Sequence, residues 1–102
     1  AKMTKEIHIE KVARFFRAFS DPTRLKILLL LLEQNEICVN KIVESLGMSQ
    51  PAISQQMQLL NNLGIVKKKR DGQFIRYSIA DDFVKEFIKI VIKQISGGKD
   101  EL

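Results

Sequence analysis

The chain has 102 residues, with 17 lysines and arginines against 12 aspartates and glutamates, which gives a formal net charge of +5 at neutral pH. This length predicts a single domain over residues 1–102, large enough for a hydrophobic core but small enough that a second copy would add useful buried area. The positive charge suits a polyanionic partner without proving one, since it also favours solubility. The single cysteine, Cys38, excludes an internal disulfide and fits a reducing compartment.

The sequence contains neither a secretory signal nor a stretch that predicts a membrane span. Its longest apolar run, residues 27–32, is far too short to cross a bilayer. The start of the sequence lacks the apolar segment of a signal peptide. We therefore expect a cytoplasmic protein that has no membrane partner.

Two helices are predicted at the start of the chain. Between residues 5 and 19, apolar positions recur at three- and four-residue steps with basic residues between them, which is the pattern of an amphipathic helix. Asp21 can then cap a second helix, and Pro22 fits its first turn, where a missing N–H costs nothing. This helix runs to about Glu33. Because residues 27–32 are apolar without a break, we expect it to be covered on most sides as the central element of the core.

A helix-turn-helix pattern follows in residues 39–63. Residues 37–39 form either a short strand or the start of a short helix, which Gly47 closes. Ser49 can cap the next helix, and Gly64 ends it. Two short helices joined by a tight turn that contains glycine are the signature of this motif.

The second helix of the motif has one apolar face and one uncharged polar face. A solvated helix face usually carries lysine and glutamate, yet no charged side chain occurs from Gln50 to Asn62. Amides and hydroxyls can bond to base edges in the major groove, whereas a helix N-terminus suits a phosphate. The alternative is a merely polar surface helix. We predict one phosphate contact, from Ser49. We predict base contacts from Gln50, Ser54, Gln55 and Gln58.

Gln56 differs from its neighbours because its position falls on the apolar side of this helix. A buried amide needs hydrogen-bond partners. We therefore expect the Gln56 side chain to bond to the backbone of the preceding helix. The alternative is that Gln56 reads DNA as its neighbours do.

After this helix the apolar period changes to two, which predicts a β-hairpin over residues 65–79. Asp71 and Gly72 suit a two-residue type I′ turn, which places Lys68 opposite Ile75. This register predicts an inward face made of Val66, Ile75, Tyr77 and Ile79. The predicted outward face is made of Lys67, Lys69, Phe74 and Arg76.

The basic residues of the hairpin have two interpretations. They can neutralise DNA phosphates, which gives affinity without sequence discrimination and a steep salt dependence. Alternatively, the lysines protect an edge strand from pairing with other chains. Lys68 is not assigned to DNA because the predicted register points it inward. We predict phosphate contacts from Lys67, Lys69, Arg70 and Arg76.

An apolar helix is predicted over residues 81–96, beginning at Asp81 or Asp82, and the tail after Ser96 should be frayed. Together with residues 5–19, this helix has more apolar surface than one small domain can hide. We therefore predict a homodimer sealed by these two helices. The alternative is that their apolar residues close an intramolecular core. The predicted interface residues are Val12, Phe15, Phe16, Phe19, Phe87, Ile88, Val91 and Ile95.

Together, these elements predict a mainly α fold with a small β-hairpin. Their order is α-α-α-α-β-β-α, with the short strand near residues 37–39. This is the arrangement of a winged helix-turn-helix, in which one helix enters the major groove and the charged hairpin, or wing, lies beside it at the phosphates. In a dimer, two such helices about 34 Å apart would read successive major grooves of palindromic double-stranded DNA.

Four segments and the helices that flank them resemble the ArsR/SmtB family of winged-helix repressors. The segments are FSDPTRLKILLLL (residues 19–31), EICVNKI (36–42), SQPAISQQMQLL (49–60) and LGIVKKKRDGQFIRYSI (63–79). The resemblance covers most of the chain, and the combination is specific even though each segment alone is a weak signal. It implies a homodimer that binds an operator palindrome and represses transcription, often until an inducer binds.

The metal sites that this resemblance implies are incomplete in the sequence. Many members hold a metal through a Cys-x-Cys pair near the start of the third helix, where this sequence has Cys38 but also Asn40. Others use Asp and His ligands on the last helix, where Asp81 alone matches. A soft-metal site needs two to four thiolate or imidazole ligands, so we expect no metal and no cofactor, and we expect Cys38 to be a small buried residue. The positions that depart from the last-helix pattern are Phe83, Gln94 and Gly97.

These observations favour a dimeric, sequence-specific DNA-binding repressor of the ArsR type over two alternatives. A winged-helix module could instead bind a protein or RNA partner through its basic wing. We expect no enzyme, because the chain has one histidine, one cysteine and no glycine-rich phosphate loop.

Overall fold

The computed structural model describes residues 8–97, which form five helices and three strands. This order confirms the predicted winged helix-turn-helix. Of the predicted first helix over residues 5–19, residues 5–7 lie outside the described part of the chain, as does the predicted frayed tail from residue 98 onward. The elements are α1 (Ile9–Arg17), α2 (Pro22–Gln34), β1 (Glu36–Cys38), α3 (Val39–Leu46), α4 (Gln50–Asn62), β2 (Val66–Asp71), β3 (Phe74–Ile79) and α5 (Asp82–Ile95).

α2 lies at the centre of the core, as its unbroken apolar run predicts. Asp21 caps the helix: its Oδ2 accepts hydrogen bonds from the backbone N–H groups of Thr23 (2.9 Å) and Arg24 (3.2 Å). Ile27 and Leu28 are fully buried, and Leu31 one turn later is as well. The helix is therefore fixed by its cap at one end and by burial along its length.

The turn between α3 and α4 has the predicted geometry. Gly47 follows α3 in the left-handed conformation at φ 64°, which only glycine adopts without strain, and its N–H donates to the Val43 carbonyl over 2.9 Å. Two residues later, Ser49 Oγ accepts a hydrogen bond from the Ala52 N–H at 3.3 Å and caps α4. Glycine and serine thus set the angle at which α4 leaves α3.

Residues Glu36–Cys38 form a strand, which decides between the two alternatives for this segment. β1 pairs antiparallel with β3, with Ile37 opposite Tyr77, and the sheet has the order β1-β3-β2. β3 is therefore the central strand, and β2, which carries most of the basic residues, is an edge. Because β1 runs directly into α3, the hairpin is hydrogen-bonded to the segment that begins the helix-turn-helix.

The predicted hairpin register is wrong by two residues. Lys68 lies opposite Tyr77, not Ile75, and Asp71 pairs with Phe74, so the turn is made by Gly72 and Gln73. Gly72 has φ 66° at the first turn position, which is where a type II′ turn requires glycine, whereas the predicted type I′ turn would require a positive φ at Asp71 as well. Since a shift of two keeps the side-chain alternation, the predicted inward and outward faces are retained.

α5 packs against β3 and closes the core from the far end of the chain. Ile88 on this helix is only 2% exposed within the single chain, so little of its side chain is left for a second copy to cover, and its place in the dimer interface stays a prediction. None of the helices in residues 8–97 has the length and apolar character that crossing a membrane requires. The buried core comprises Ala18, Ile27, Leu28, Leu31, Ile37, Ile42, Ile53, Met57, Leu60, Ile65, Val66, Tyr77, Ile79, Val84 and Ile88.

The cap of α5 provides a test of the fold. Asp81 Oδ1 accepts a hydrogen bond from the Val84 N–H at 2.9 Å, whereas Asp82 in the first turn is exposed and makes no cap bond. We expect Asp81→Ala to lower the free energy of unfolding by about 1 kcal/mol, because the N–H loses its acceptor. Asp82→Ala is the matched control and should cost clearly less. Urea denaturation at one fixed protein concentration measures both, and equal losses would contradict the role of the cap.

Candidate nucleic-acid interface

α4 presents the uncharged polar face that its sequence predicts. Ile53, Met57 and Leu60 on the other side are fully buried, which fixes the rotation of the helix about its axis. Because the apolar side is covered, the amides and the hydroxyl point away from the core. On that side Gln50 Nε2 lies 3.4 Å from Ser54 Oγ, within hydrogen-bond range. Of the four predicted base-contact residues, Gln50, Gln55 and Gln58 are exposed and Ser54 is half-buried.

A concave space of about 340 Å³ separates α4 from the wing, the hairpin of β2 and β3. Three of the four predicted base-contact residues line it, and Gln55 is exposed outside it. Burial raises the pKa of the Tyr77 phenol above its ordinary value near 10, so this group stays uncharged at neutral pH. The space is therefore bounded by neutral groups on α4 and by a lysine on the wing. Its lining is Cys38, Val39, Asn40, Gln50, Ser54, Gln58, Lys68, Gln73, Phe74, Ile75 and Tyr77.

Lys68 is the residue that the sequence analysis left unassigned. The observed register places it opposite Tyr77 on the inward face of the wing, but beyond the edge of the core, where it is exposed and faces the concave space. Arg70, opposite Ile75, lies on the same face nearer the turn. The sequence did contain a signal for this placement, because alternation along the strand puts Lys68 and Arg70 on the same face. Alternation alone does not show where along the strand the core ends.

The other predicted phosphate contacts lie on the opposite face of the wing. Lys67 and Lys69 are exposed there, and Lys69 is paired with Arg76 across the strands. Arg76 Nε donates to Asp71 Oδ2 at 3.1 Å, so part of its charge is offset by a carboxylate. The four phosphate contacts predicted on the wing are thus divided between its two faces, and Arg76, which has an acidic partner, is less available to an anion.

The half-buried Gln56 has a different partner from the one predicted. Its Oε1 accepts a hydrogen bond from Arg24 Nη1 at 3.1 Å, so it bonds to a side chain of α2 and not to backbone of the preceding helix. The expectation that the Gln56 amide makes a hydrogen bond within the protein is therefore correct. Its partner, however, is a residue 32 positions away in sequence. Periodicity within one helix cannot identify such a partner.

An apolar surface lies away from the wing, where α1 meets α5. Phe15 packs against Phe16, Phe19 and Phe87, with ring centroids 5.1–5.7 Å apart. Phe16 is 54% exposed and Ile95 is 81% exposed, and both line a groove of about 390 Å³. The remaining predicted interface residues lie on or beside this surface, while three residues that were not predicted are also exposed on these helices. They are Ile9, Phe83 and Ile90.

Potential metal ligands do not gather in the described part of the chain. Within residues 8–97, no group of three or more His, Cys, Asp or Glu side chains is close enough to hold a metal ion. Cys38 is only half-buried, less covered than expected for a small core residue, and it lines the concave space together with Asn40. The thiol therefore lies beside the wing without a second thiol from the same segment.

Comparison with known proteins agrees with this architecture. The family model of bacterial regulatory proteins of the arsR family matches residues 21–68. An uncharacterized HTH-type transcriptional regulator of Methanocaldococcus jannaschii is 50% identical over 82 residues, which cover 80% of this chain and 92% of that protein. The chain belongs to the ArsR family of winged helix-turn-helix transcriptional regulators.

Two further similarities cover most of the chain. A probable mercury resistance operon repressor of Streptomyces lividans is 41% identical over 83 residues, which cover 81% of this chain and 66% of that protein. The solution structure of the homodimeric winged helix-turn-helix DNA-binding domain of a Mycobacterium bovis protein superimposes with a TM-score of 0.79 at 32% identity. That match covers 87% of this chain and 80% of the other.

Proposed function

We propose that this ArsR-family chain is a homodimeric repressor that binds palindromic double-stranded DNA, with α4 of each copy in a major groove. The observation that carries the proposal is the concave space between α4 and the wing. It aligns Gln50, Ser54 and Gln58 on one wall with Lys68 on the other. Amides and hydroxyls can discriminate base edges, and an adjacent cation can neutralise a phosphate without reading sequence.

The division of charge on the wing supports this arrangement. On the inward face, Lys68 lines the space beside α4, where a phosphate backbone would pass, and Arg70 lies on the same face nearer the turn. On the other face, Lys67 and Lys69 lie further from α4, and Arg76 is paired with Asp71. We therefore propose Lys68 and Arg70 as the stronger phosphate contacts, with Ser49 at the start of α4 as another and the outer face adding weaker, screened attraction.

The proposed dimer is formed by the apolar surface of α1 and α5. An exposed, contiguous aromatic and aliphatic surface is unusual on a small monomer, and a second copy would cover it. The proposed interface comprises Val12, Phe15, Phe16, Phe19, Phe87, Val91 and Ile95. Two α4 helices related by a twofold axis would then meet two half-sites about one helical turn apart.

Double-stranded DNA fits this surface better than RNA does. The major groove of an A-form RNA helix is too narrow and deep for side chains to read. A helix with an uncharged amide face next to a basic hairpin is suited to the wider major groove of B-form DNA. Because its proposed partner is duplex DNA, we propose that the protein acts in the cytoplasm.

Selection of duplexes from a random library by the purified protein tests the proposal. We expect enrichment of an inverted repeat, an affinity that falls as salt rises, and a dimer by sedimentation. A monomer that enriches no duplex at low ionic strength would overturn the proposal. Preferential binding of single-stranded RNA or of a protein in matched assays would replace it with the interaction-module alternative.

Gln58→Ala tests the base-reading face of α4. We expect it to relax preference at one position of each half-site, with a loss of about 1–3 kcal/mol on the selected duplex, because a bidentate amide contact disappears. Asn62→Ala, also exposed but in the last turn and outside the concave space, is the control. Selection experiments on both variants measure the change, and an unaltered preference for Gln58→Ala would remove that residue from the reading face.

Lys68→Ala and Lys67→Ala form a matched pair on adjacent positions of β2. We expect Lys68→Ala to weaken binding to all duplexes similarly and to flatten the salt dependence by about one unit, because one phosphate contact is lost. Lys67→Ala removes the same charge from the other face and should change the slope less. Fluorescence anisotropy over a salt series measures both slopes, and equal slopes would count against the inward face as the DNA side.

Phe16→Ser tests the dimer surface. Because the ring is largely exposed in the single chain, we expect the variant to fold but to dissociate into monomers at concentrations where the wild type is dimeric. Phe74→Ser, which removes a ring that is 46% exposed on the wing, is the control and should stay dimeric. Sedimentation equilibrium distinguishes the two, and a dimeric Phe16→Ser would place the interface elsewhere.

A further inference from the structure

The Arg24 guanidinium bridges three helices. Its Nη1 donates to Gln56 Oε1 on α4 at 3.1 Å, and its Nη2 donates to the Arg17 carbonyl at the end of α1 at 3.0 Å. Its own backbone N–H is held by the Asp21 carboxylate that caps α2. One planar group at the start of α2 therefore contacts both the end of α1 and the middle of α4.

One of the five N–H donors of this guanidinium is not satisfied. Arg24 Nε is buried and has no hydrogen-bond partner among the described residues. A buried donor without an acceptor costs stability, and the hydrogen bonds that the rest of the group makes have to offset this cost. Donors on Nη1 and Nη2 meet an amide oxygen and a backbone carbonyl, so the observed geometry depends on a planar fork that reaches two acceptors at once.

The two acceptors lie beside different functional surfaces. The Arg17 carbonyl follows Phe16, whose ring packs against Phe87 of α5 with centroids 6.0 Å apart, in the surface proposed to form the dimer. Gln56 lies between Gln55 and Met57 on α4, next to the polar face proposed to read bases. One side chain therefore makes a direct hydrogen-bonded link between the end of α1 and the reading helix.

The hydrogen bonds of Arg24 add a directional restraint to the packing of α4. Burial of Ile53, Met57 and Leu60 decides which face of α4 points inward, but apolar contact is not directional and tolerates small shifts along the helix axis. Hydrogen bonds weaken steeply with misalignment, so a fork anchored on α1 restrains where α4 lies relative to α1. In a dimer joined through α1 and α5, that restraint applies to the separation of the two α4 helices.

We propose that Arg24, acting through Gln56, is a positioning residue that sets the spacing between the two α4 helices of the dimer, and with it the half-site spacing that the protein accepts. This inference rests on the proposed function. It assigns selectivity for operator geometry to a side chain that lies outside the concave space and touches no base.

The experiment uses a duplex that the full-length wild type selects from a random library, together with derivatives whose half-sites are one or two base pairs closer or further apart. A scrambled duplex measures non-specific binding. We expect Arg24→Met and Gln56→Met to lower the affinity ratio between the selected and altered spacings by about tenfold, which corresponds to losing one hydrogen bond of about 1.4 kcal/mol. The double variant should lose no more than either single variant, because both remove the same link.

Three further variants separate positioning from loss of charge or of fold. Arg17→Met removes a neighbouring charge but leaves the carbonyl that Arg24 uses, so its spacing ratio should equal that of the wild type. Arg24→Lys keeps the charge without the planar fork and should lose the ratio. Gln56→Glu keeps the acceptor and should retain the ratio, even if affinity for every duplex falls. If Arg24→Met does not fold, the Gln56→Met and Gln56→Glu pair decides.

The outcomes that overturn the inference differ from those that overturn the proposed function. A wild-type ratio in Arg24→Met or Gln56→Met, or losses that add in the double variant, would show that Arg24 does not position α4 through Gln56. A change in base preference at one position for Gln56→Met alone would make Gln56 a base contact. Failure of the wild type itself to select an inverted repeat would instead remove the proposed function.

Discussion

Burial of one face of α4 is the constraint on which the rest of the structure depends. Ile53, Met57 and Leu60 join the same core as Ile27 and Leu31 of α2. At about 1.5–3 kcal/mol for each fully buried side chain, these three outweigh any single hydrogen bond made on the polar side of the helix. The helix therefore cannot rotate without exposing them, and its neutral polar face is held toward the concave space.

The wing is positioned by pairing and not by the hairpin alone. β1 pairs with β3 and continues directly into α3, so the hairpin is hydrogen-bonded to the helix-turn-helix that it accompanies. This arrangement brings Lys68 of the edge strand to the space beside α4. It also leaves Lys67 and Lys69 on the other face, where their exposure suits protection of the strand edge. The basic run thus presents positive charge on both faces of the wing.

The sequence predicted the elements well because each has a local cause. Asp21, Ser49 and Asp81 cap helices, and Gly47 makes the turn of the helix-turn-helix. The predicted hairpin turn was displaced because Asp-Gly suits more than one turn type, and the pairing with β1 and the φ of one glycine are not visible in the local pattern. The predicted inward and outward faces of the hairpin are nevertheless retained, because a displacement by an even number of residues leaves each side chain on the same face.

Periodicity in the sequence determined which elements form, which face of α4 is polar and which strand residues point inward, because these properties follow from 3.6- and two-residue repeats and from capping chemistry. The tertiary structure alone decided that Ile88 is covered within the chain, that Lys68 faces α4, and that Gln56 bonds to Arg24. Each of these facts depends on which elements pack against one another. The periodicity of a sequence does not show which residues far apart along the chain come into contact.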